Sequence, residues 1–505
     1  MYFGTFFEAA VDLFTIEKML VLFGATAMGI IFGAMPGLTA TLGVALLSTL
    51  TMNYPTEIAM IALIGVYVGA IYGGCHSSIL LGIPGTAAAA ATALDGYPLA
   101  KQGRAGEAIA TATLASTVGT LIGLLAILLL VPVLTELALQ FTSVEFFLLA
   151  VFGILICGTL TSEDMPVKGW IAGLLGLSIA MVGIETIQSY HRFTFGLPEL
   201  TGGIDIVPVI LGGFALPAVI RNLRSPPDGV PVAIKLSRVV VNWATLWREK
   251  MLIGRSGLIG VYIGIIPGVG EDVAAWSSYA AAKRAAGPEA TEFGRGDMRG
   301  VMAPEVANNA CIGGAIIPVL TLAVPGSPPA AMLLGAMWLH GVRPGPMLAV
   351  ENPEFIAQLA AILGVASLAM AALGLLLARV SVRVLQMPPA ILNAVVIMLA
   401  VLGSWALGLN IFNVYLMFMF GVLVYFLEEM GYPVAPMVIG LILGNMADVS
   451  LRRALLVSEG SLLPLVTRPI ALALVLLIAF ALVARTQVWR RLIASIGRGL
   501  RRRAT

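Results

Sequence analysis

The stretch Gly29-Ile-Ile-Phe-Gly33-Ala-Met-Pro36-Gly37-Leu-Thr-Ala-Thr41 is glycine-rich and places a Pro-Gly pair inside strongly apolar sequence. It returns as Gly260-Val-Tyr-Ile-Gly264-Ile-Ile-Pro267-Gly268-Val-Gly270, in which both glycines and the Pro-Gly pair lie 231 positions later. A second Pro-Gly pair follows each copy, at Pro84-Gly85 and at Pro325-Gly326. The chain therefore contains two copies of a unit that has two Pro-Gly breaks.

The composition places these breaks inside a membrane. Of the 505 residues, 59% are hydrophobic and only 11% are charged, whereas about 25% are charged in a soluble domain. The windows 19–56, 58–94 and 306–342 contain no Asp, Glu, Lys or Arg. Their apolar runs are continuous, which argues against the alternating strands of a membrane barrel. Since a spanning helix needs about 20 apolar residues, we predict an all-α integral membrane protein with about 12 transmembrane helices plus broken or re-entrant helices.

Charged segments divide the chain. Residues 221–254 carry an excess of Lys and Arg, and the tail beyond residue 484 is basic without acidic compensation. The positive-inside rule predicts that both are cytoplasmic, and topology explains such a tail without a nucleic-acid partner. The predicted segments are an N-terminal interfacial segment (1–18), a first membrane repeat (19–220), a basic cytoplasmic linker (221–254), a second membrane repeat (255–450), and a C-terminal helix with a basic cytoplasmic tail (451–505).

The charge pattern also predicts the relative orientation of the repeats. The linker after the first repeat and the C-terminal tail are both expected in the cytoplasm, and one helix separates the second repeat from that tail. The two repeats therefore end on opposite sides and are predicted to be inverted, an arrangement common in secondary transporters. The pair Arg452-Arg453 opposes this prediction, since it would then lie outside the cell against the positive-inside rule.

The window 58–94 predicts a broken helix. Its 37 residues would extend about 55 Å as one helix, which is too long for an ordinary span. A helix that stops, turns at Pro84-Gly85 and resumes would fit the membrane. The string Asp95-Gly-Tyr-Pro98 is then predicted to form a turn.

The breaks suggest a binding site for an anion and a cation. A proline in a helix removes a backbone donor and frees a carbonyl, and each unsatisfied backbone group costs several kcal/mol in hydrocarbon. Amides at the start of a half-helix suit a carboxylate, and freed carbonyls suit a cation. Simple kinks are the alternative, and each hydroxyl taken singly could be a helix cap or a packing residue. The predicted substrate-binding residues are Pro36, Gly37, Thr39, Thr41, Ser77, Ser78, Pro84, Gly85, Thr86, Asn308, Asn309, Pro325, Gly326 and Ser327.

Two acids distinguish the second copy. Glu271-Asp272 directly follows its first break, where the first copy has Ala40-Thr41. A carboxylate at membrane depth is costly and is a functional candidate by default. The pair could coordinate Na⁺, carry a proton, or stabilise a helix N-terminus. The predicted cation-binding residues are Gly268, Gly270, Glu271 and Asp272, with Na⁺ as the one metal ion considered and no other cofactor expected.

Long strings of the sequence carry a family resemblance. They are Tyr72-Gly-Gly, the run from Ile83 to Gly103, Ala303-Pro-Glu305-Val-Ala-Asn-Asn309, and Pro325-Gly-Ser327 with His340-Gly-Val-Arg-Pro-Gly-Pro346. Together with both first breaks they span nearly the whole chain. The sequence resembles the large membrane subunit of tripartite tricarboxylate transporters, the TctA type.

This resemblance implies a function and partners. The expected activity is secondary active import of di- or tricarboxylates, or related organic anions, across a bacterial inner membrane with H⁺ or Na⁺ symport. The expected partners are a small membrane subunit of the TctB type and a periplasmic solute-binding protein of the TctC type. Analogy with other two-repeat carboxylate transporters adds an elevator-like movement of the helices that hold the breaks.

The sequence departs from the family pattern at three places: Cys75-His76, Gly82 and Glu271-Asp272. The first two put citrate itself in doubt as the substrate, and the third bears on the coupling ion.

Other function classes fit less well. An ATP-driven pump would need a G-x-x-x-x-G-K-[ST] loop, which the sequence lacks. The histidines His76, His191 and His340 have no protease-like spacing, so an enzyme is not expected. A channel or a membrane enzyme without transport coupling remains the alternative.

Overall fold

A computed structural model describes residues 2–35, 38–161, 165–224, 237–240, 243–384 and 389–484. Pro36 and Gly37, both predicted to bind substrate, lie outside the described residues, as do residues 225–236 and 241–242 of the predicted basic linker and the tail beyond residue 484. The described part of the chain is almost entirely helical, apart from one small pair of strands.

The helices of the first half run up to residue 224. They are α1 (Tyr2–Asp12), α2 (Ile16–Ala34), α3 (Ala40–Leu50), α4 (Thr56–Leu81), α5 (Ala90–Leu99), α6 (Ala105–Ala138), α7 (Ser143–Thr161), α8 (Pro166–Ala180) and α9 (Ile206–Arg224). Between α8 and α9, strands β1 (Gly183–Ile184) and β2 (His191–Arg192) pair in antiparallel fashion. Residues 95–98 lie within α5, so the turn predicted there is wrong: the helix continues through Pro98.

The helices of the second half begin after the linker. They are α10 (Trp243–Arg248), α11 (Lys250–Ile265), α12 (Gly270–Ala285), α13 (Met298–Leu322), α14 (Pro328–Leu339), α15 (Leu348–Glu351), α16 (Pro353–Val384), α17 (Pro389–Ala406), α18 (Ile411–Glu429), α19 (Val434–Val457), α20 (Pro464–Thr467) and α21 (Pro469–Ala484).

The prediction of an all-α integral membrane protein is confirmed. Within the described residues, eight helical segments are long and apolar enough to cross a membrane, including α4, α13 and the continuous stretch Ala87–Ala138. Six shorter apolar helices accompany them, among them α3 and α14, which follow breaks. The chain is therefore a multi-pass membrane protein.

Glycines set the packing of α2 against α4. A methyl group added at Gly29 would lie 2.4 Å from the Val66 carbonyl oxygen, and one at Gly33 would lie 2.0 Å from the Ala70 carbonyl oxygen. Small residues of this kind allow close backbone approach between membrane helices. Because the contacts advance in the same order along both helices, α2 and α4 run parallel.

The second half repeats this contact. A methyl group at Gly260 would lie 2.2 Å from the Ala307 carbonyl oxygen, and one at Gly264 would lie 2.6 Å from that of Cys311. The glycines lie 231 positions after Gly29 and Gly33, and both carbonyl residues lie 241 positions after their first-half counterparts. The sequence repeat is thus matched by a repeat of helix packing.

The helix after each first break packs against the long helix that follows it. In the first half, Gly43 of α3 lies against both Phe32 of α2 and Val66 of α4. In the second half, the Ser278 hydroxyl of α12 donates to the Ala303 carbonyl of α13 at 2.8 Å. The helix after each first break therefore folds back along the long helix that follows it.

The described helices belong to two compact units. The larger unit takes its residues from Met1–Leu139 and Asp205–Val434, and it contains all four breaks. The smaller unit takes its residues from Gln140–Ile204 and Ala435–Thr505.

Close helix contacts and ion pairs stabilise the smaller unit. A methyl group at Gly176 would lie 1.9 Å from the Met437 carbonyl oxygen, so α8 and α19 are in backbone contact. Asp448 forms ion pairs with Arg192 at 2.8 Å and with Arg452 at 2.9 Å. The charge of Arg452 is therefore balanced inside this unit.

Candidate functional site

The two breaks of the second half are joined by backbone hydrogen bonds. The amide of Gly268 donates to the Pro325 carbonyl at 3.1 Å, and the amide of Gly270 donates to the Gly326 carbonyl at 3.1 Å. Gly268 and Gly270 have φ values of 73° and 81°, a left-handed conformation that glycine adopts at little cost. Both predicted cation-binding glycines thus hold the second break in place through their amides.

In the first half, the second break contacts the C-terminal end of α2. A methyl group at Gly85 would lie 2.1 Å from the Gly33 carbonyl oxygen and 2.6 Å from the Ser77 hydroxyl. The second half repeats this approach, because a methyl group at Gly326 would lie 1.9 Å from the Gly264 carbonyl oxygen. In both halves, the second Pro-Gly break therefore packs against the C-terminal end of the helix that precedes the first break.

Two of the predicted hydroxyl side chains cap the N-termini of the helices that follow them. Thr39 accepts a hydrogen bond from the Leu42 amide at 3.1 Å, and Ser327 accepts one from the Ala330 amide at 3.3 Å. Both residues therefore begin their half-helices as N-caps, a role that the sequence left open. Thr41, two residues after Thr39, is buried.

Thr86 differs from these caps. Its hydroxyl is buried, and it has no hydrogen-bond partner among the described residues. Ser77 and Ser78 lie nearby on α4 and donate to the carbonyls of Gly74 at 3.2 Å and Ala89 at 2.8 Å. Because an unpaired buried hydroxyl carries a free-energy cost, Thr86 is the hydroxyl at this break that is available to a ligand.

The structure separates the two predicted acids. Glu271 is buried and accepts a hydrogen bond from the Tyr67 hydroxyl, which also lies 2.8 Å from the Ser327 hydroxyl. Asp272 is exposed on the protein surface. Tyr67 belongs to the first half, and no sequence pattern had singled it out. Glu271 is thus the acid that the fold builds into the break.

Asn308 and Asn309 lie in a second buried polar cluster. The Asn309 amide donates to the Asn308 side-chain oxygen at 2.8 Å, and the Thr120 hydroxyl donates to the Asn309 side-chain oxygen at 3.3 Å. The Asn308 amide nitrogen lies 3.5 Å from the Ala88 carbonyl, next to the first-half break. Both asparagines are fully buried, and their amides connect α13 with the first half of the chain.

The same cluster contains Glu305, which the predicted site left out. Its two carboxylate oxygens accept hydrogen bonds from Thr92 at 2.6 Å and from Ser116 at 2.9 Å. Its side chain has no exposed surface. The sequence feature that could have identified Glu305 is its place directly before the uncharged window 306–342.

The two halves contact each other's breaks reciprocally. Tyr67 of α4 reaches Ser327 beside the last break, while Asn308 of α13 lies against Ala88 after the first-half break. Asn308 lies 241 positions after Tyr67, the same offset that relates the carbonyls in the glycine contacts. The three described breaks, at Pro84-Gly85, Pro267-Gly268 and Pro325-Gly326, therefore lie together at the junction of the two halves, within the larger unit.

The described residues hold no group of three or more His, Cys, Asp or Glu side chains that could bind a metal ion. A sodium site among them would therefore have to draw on backbone carbonyls and hydroxyls beside at most two such side chains, which is the kind of oxygen set that broken transporter helices provide.

The chain matches one protein-family model and is similar to two relatives. The family model described as "Tripartite tricarboxylate transporter TctA family" matches residues 19–439. The chain is similar to an "Uncharacterized 52.8 kDa protein in TAR-I ttuC' 3'region" of Agrobacterium vitis, with 34% identity over 457 residues, 90% of each chain. It is also similar to an "Uncharacterized protein in TAR-II ttuC' 3'region" of the same organism, with 35% identity over 215 residues, which is 43% of this chain and 88% of the relative. No solved structure matches. The chain belongs to the TctA family of tripartite tricarboxylate transporters.

Proposed function

We propose that the chain is the large membrane subunit of a binding-protein-dependent secondary transporter. It imports di- or tricarboxylates, or related organic anions, across a bacterial inner membrane by H⁺ or Na⁺ symport. The observation that carries this proposal is the reciprocal contact between halves, in which Tyr67 reaches one break and Asn308 the other. Such paired breaks are the usual substrate and ion sites of secondary transporters.

The substrate side of the proposed site is the first-half break with the facing asparagines. Thr86 supplies a buried hydroxyl without a described partner, and Asn308 and Asn309 supply amide groups. A hydroxyl and an amide can each donate a hydrogen bond to a carboxylate. The Asn309 amide already donates to the Asn308 side-chain oxygen and to the Glu305 carbonyl, so it would exchange one of these bonds for the substrate. The break residues Pro84 and Gly85, with Pro325 and Gly326 across the junction, provide the backbone part of this site.

The cation side of the proposed site is the second-half break. Glu271 supplies a buried carboxylate, held by Tyr67. The amides of Gly268 and Gly270 are engaged with the carbonyls of the last break. A bound Na⁺ would therefore be coordinated by the Glu271 carboxylate together with backbone carbonyl and hydroxyl oxygens, the hard oxygen ligands that such a cation prefers.

The directions of three helices support an inverted repeat. α5 runs parallel to α4, because Gly96 lies against Ile79 and Gly82 lies against Tyr97. The segment entering α5 runs antiparallel to α13, since Ala88 contacts Asn308 and Thr92 contacts Glu305. The equivalent helices α4 and α13 would therefore cross the membrane in opposite directions.

The remaining topology follows the same proposal. The C-terminal tail is cytoplasmic, as its arginines indicate. Arg452, which opposes this orientation, is paired with Asp448. The N-terminal ends of α2 and α4, where Lys18 and Glu57 pair at 2.6 Å, then face the periplasm.

We further propose a TctB-type small membrane subunit and a TctC-type periplasmic binding protein as partners, and an elevator-like movement of the helices that carry the breaks. The test uses proteoliposomes that contain all three subunits. Labelled di-, tri- and aromatic carboxylates are offered under an imposed H⁺ or Na⁺ gradient. We expect accumulation under one gradient and its collapse when an ionophore dissipates that gradient.

Two controls separate this proposal from the alternative. Omitting the binding protein should abolish uptake by the transporter but would leave flux through a channel unchanged. If no carboxylate moves under either gradient, the proposed function is wrong. If carboxylate equilibrates without accumulating and ignores the binding protein, the chain is a channel.

A further inference from the structure

The polar cluster around Glu305 is distinct from the proposed sodium ligands. Glu305 is the eighth residue of α13, so it lies about 10 Å along the helix from its first residue. It has no exposed surface. A carboxyl group at such a position is expensive to bury and is by default functional.

The side chains bonded to Glu305 are neutral: two hydroxyls and the side-chain amide of Asn308. Thr92 follows the first-half break on α5 and binds one carboxyl oxygen at 2.6 Å, and Ser116 on α6 binds the other at 2.9 Å. Both hydroxyls belong to the first half, whereas Glu305 belongs to the second. Among the described residues, Glu305 forms no ion pair with Lys, Arg or His. A hydroxyl can donate to a carboxylate and accept from a carboxylic acid, so this cluster accommodates both protonation states.

The neighbouring helices supply no permanent counter-charge to Glu305. Its titratable neighbours on α4 are Tyr72 and Cys75, and both are neutral in their ordinary protonated forms. Tyr72 is hydrogen-bonded to His76 at 2.8 Å and to Thr113 of α6 at 2.7 Å. The charged groups on the helices packed against α13 are Glu57 of α4, Asp95 of α5, Glu107 and Glu136 of α6, Lys250 and Arg255 of α11, Glu271, Asp272, Lys283 and Arg284 of α12, and Glu351 of α15.

Asp95, three residues after Thr92, has a different environment. It accepts three backbone amides, from Gly294, Gly296 and Asp297 at 2.8–2.9 Å, and the Tyr279 hydroxyl at 2.8 Å. Four donors therefore satisfy the Asp95 carboxyl group. They tie Asp95 to residues 294–297 and to α12, so Asp95 has a structural role, and Glu305 is the other buried acid of this region.

We propose that Glu305 carries the coupling proton of carboxylate uptake. A proton from the water outside binds one Glu305 carboxyl oxygen, and the same proton leaves to cytoplasmic water after the substrate has crossed, so no other reactant is needed. The position of Glu305 couples proton binding to substrate binding, because Thr92 and Asn308 connect Glu305 to the break that is proposed to bind substrate. This inference rests on the proposed function and assigns H⁺ to a site separate from Glu271.

The test compares Glu305→Gln with wild type in proteoliposomes of the full three-subunit complex. The membrane potential is clamped at zero, and the pH outside is set one unit below the pH inside. Each coupled proton then supports about a tenfold carboxylate accumulation at equilibrium. We expect wild type to reach about that ratio and Glu305→Gln to reach a ratio of about 1.

An exchange assay distinguishes coupling from folding. With equal carboxylate and equal pH on both sides, labelled carboxylate exchanges without net proton movement. We expect the exchange rate of Glu305→Gln to stay within about threefold of the wild-type rate. This rate should no longer depend on pH, since the neutral amide mimics the protonated acid. Glu305→Asp should restore accumulation, and Glu354→Gln, at an exposed acid on α16, should behave as wild type.

The outcomes separate the two proposals. Accumulation by Glu305→Gln with normal pH dependence overturns the assignment. Loss of both accumulation and exchange in a monodisperse Glu305→Gln complex also overturns it and makes Glu305 a positioning residue. If wild type accumulates carboxylate under a Na⁺ gradient alone and does not respond to pH, proton coupling through Glu305 is overturned. The proposed transport function would still stand. Wild type that neither accumulates nor exchanges carboxylate refutes the proposed function itself.

Discussion

Replacing Gly33 with alanine tests the helix contact on which the first-half site is built. The added methyl group would lie 2.0 Å from the Ala70 carbonyl oxygen and 2.8 Å from its carbonyl carbon. Because both contacts are with backbone, no side-chain rotation relieves them, and α2 must move away from α4. Overpacking of this kind costs about 1–3 kcal/mol, while the better helix propensity of alanine returns up to about 1 kcal/mol. We expect a net destabilisation of about 1–2 kcal/mol.

The chain offers a matched control on the same helix. A methyl group at Gly24 would have no atom within 4 Å, so Gly24→Ala gains helix propensity without a clash and should be as stable as wild type or slightly more so. The measurement is the monodisperse fraction that survives heating in detergent, with Gly24→Ala, wild type and Gly33→Ala compared side by side.

A second consequence concerns transport. The Gly33 carbonyl also touches Gly85, so the displaced helix end should disturb the first-half break and reduce uptake. Equal thermal survival of Gly33→Ala and Gly24→Ala would refute the reasoning, because it would show that the backbone contact between α2 and α4 is not tight.

Three further predictions concern buried side chains. Tyr67→Phe removes the hydroxyl donor to buried Glu271, which should cost about 1–3 kcal/mol and change the ion dependence of uptake; unchanged ion dependence would make this contact purely structural. Asp95→Asn weakens the hydrogen bonds that hold residues 294–297, with a cost of about 2 kcal/mol, and limited proteolysis there should accelerate; an unchanged cleavage rate would contradict the assigned role. A maleimide should label the native protein slowly and the denatured protein readily, because all three cysteines are buried and free; rapid native labelling would contradict this burial. The cysteines are Cys75, Cys157 and Cys311.

The sequence predicted the fold class and the repeat because both depend on local patterns. Uncharged windows of more than 30 residues have few physical solutions other than membrane helices. The glycines at 29 and 33 repeat with their Pro-Gly pair, and close packing needs small residues at that spacing. The family resemblance is confirmed as well, since its strings extend over most of the chain.

The polar partners could not be predicted in the same way. Tyr67 meets Glu271 across 204 positions of sequence, and Thr92 meets Glu305 across 213. Such contacts depend on how whole helices pack, and no local periodicity records them. The roles of Thr39 and Ser327 as caps became clear only from the backbone that they cap.

The glycine contacts also limit how the larger unit deforms. Sliding α2 along α4 by one turn, 5.4 Å, would bring Ala25 to the Val66 carbonyl, where only glycine fits. The same restriction applies between α11 and α13, and between α6 and α13, where a methyl group at Gly119 would lie 2.3 Å from the Val306 carbonyl oxygen. The larger unit therefore resists sliding of these helices in the direction that brings Ala25, Ser256 or Ala115 to the contact carbonyls. Against a displacement in that direction, α2, α4, α6, α11 and α13 behave as one rigid block.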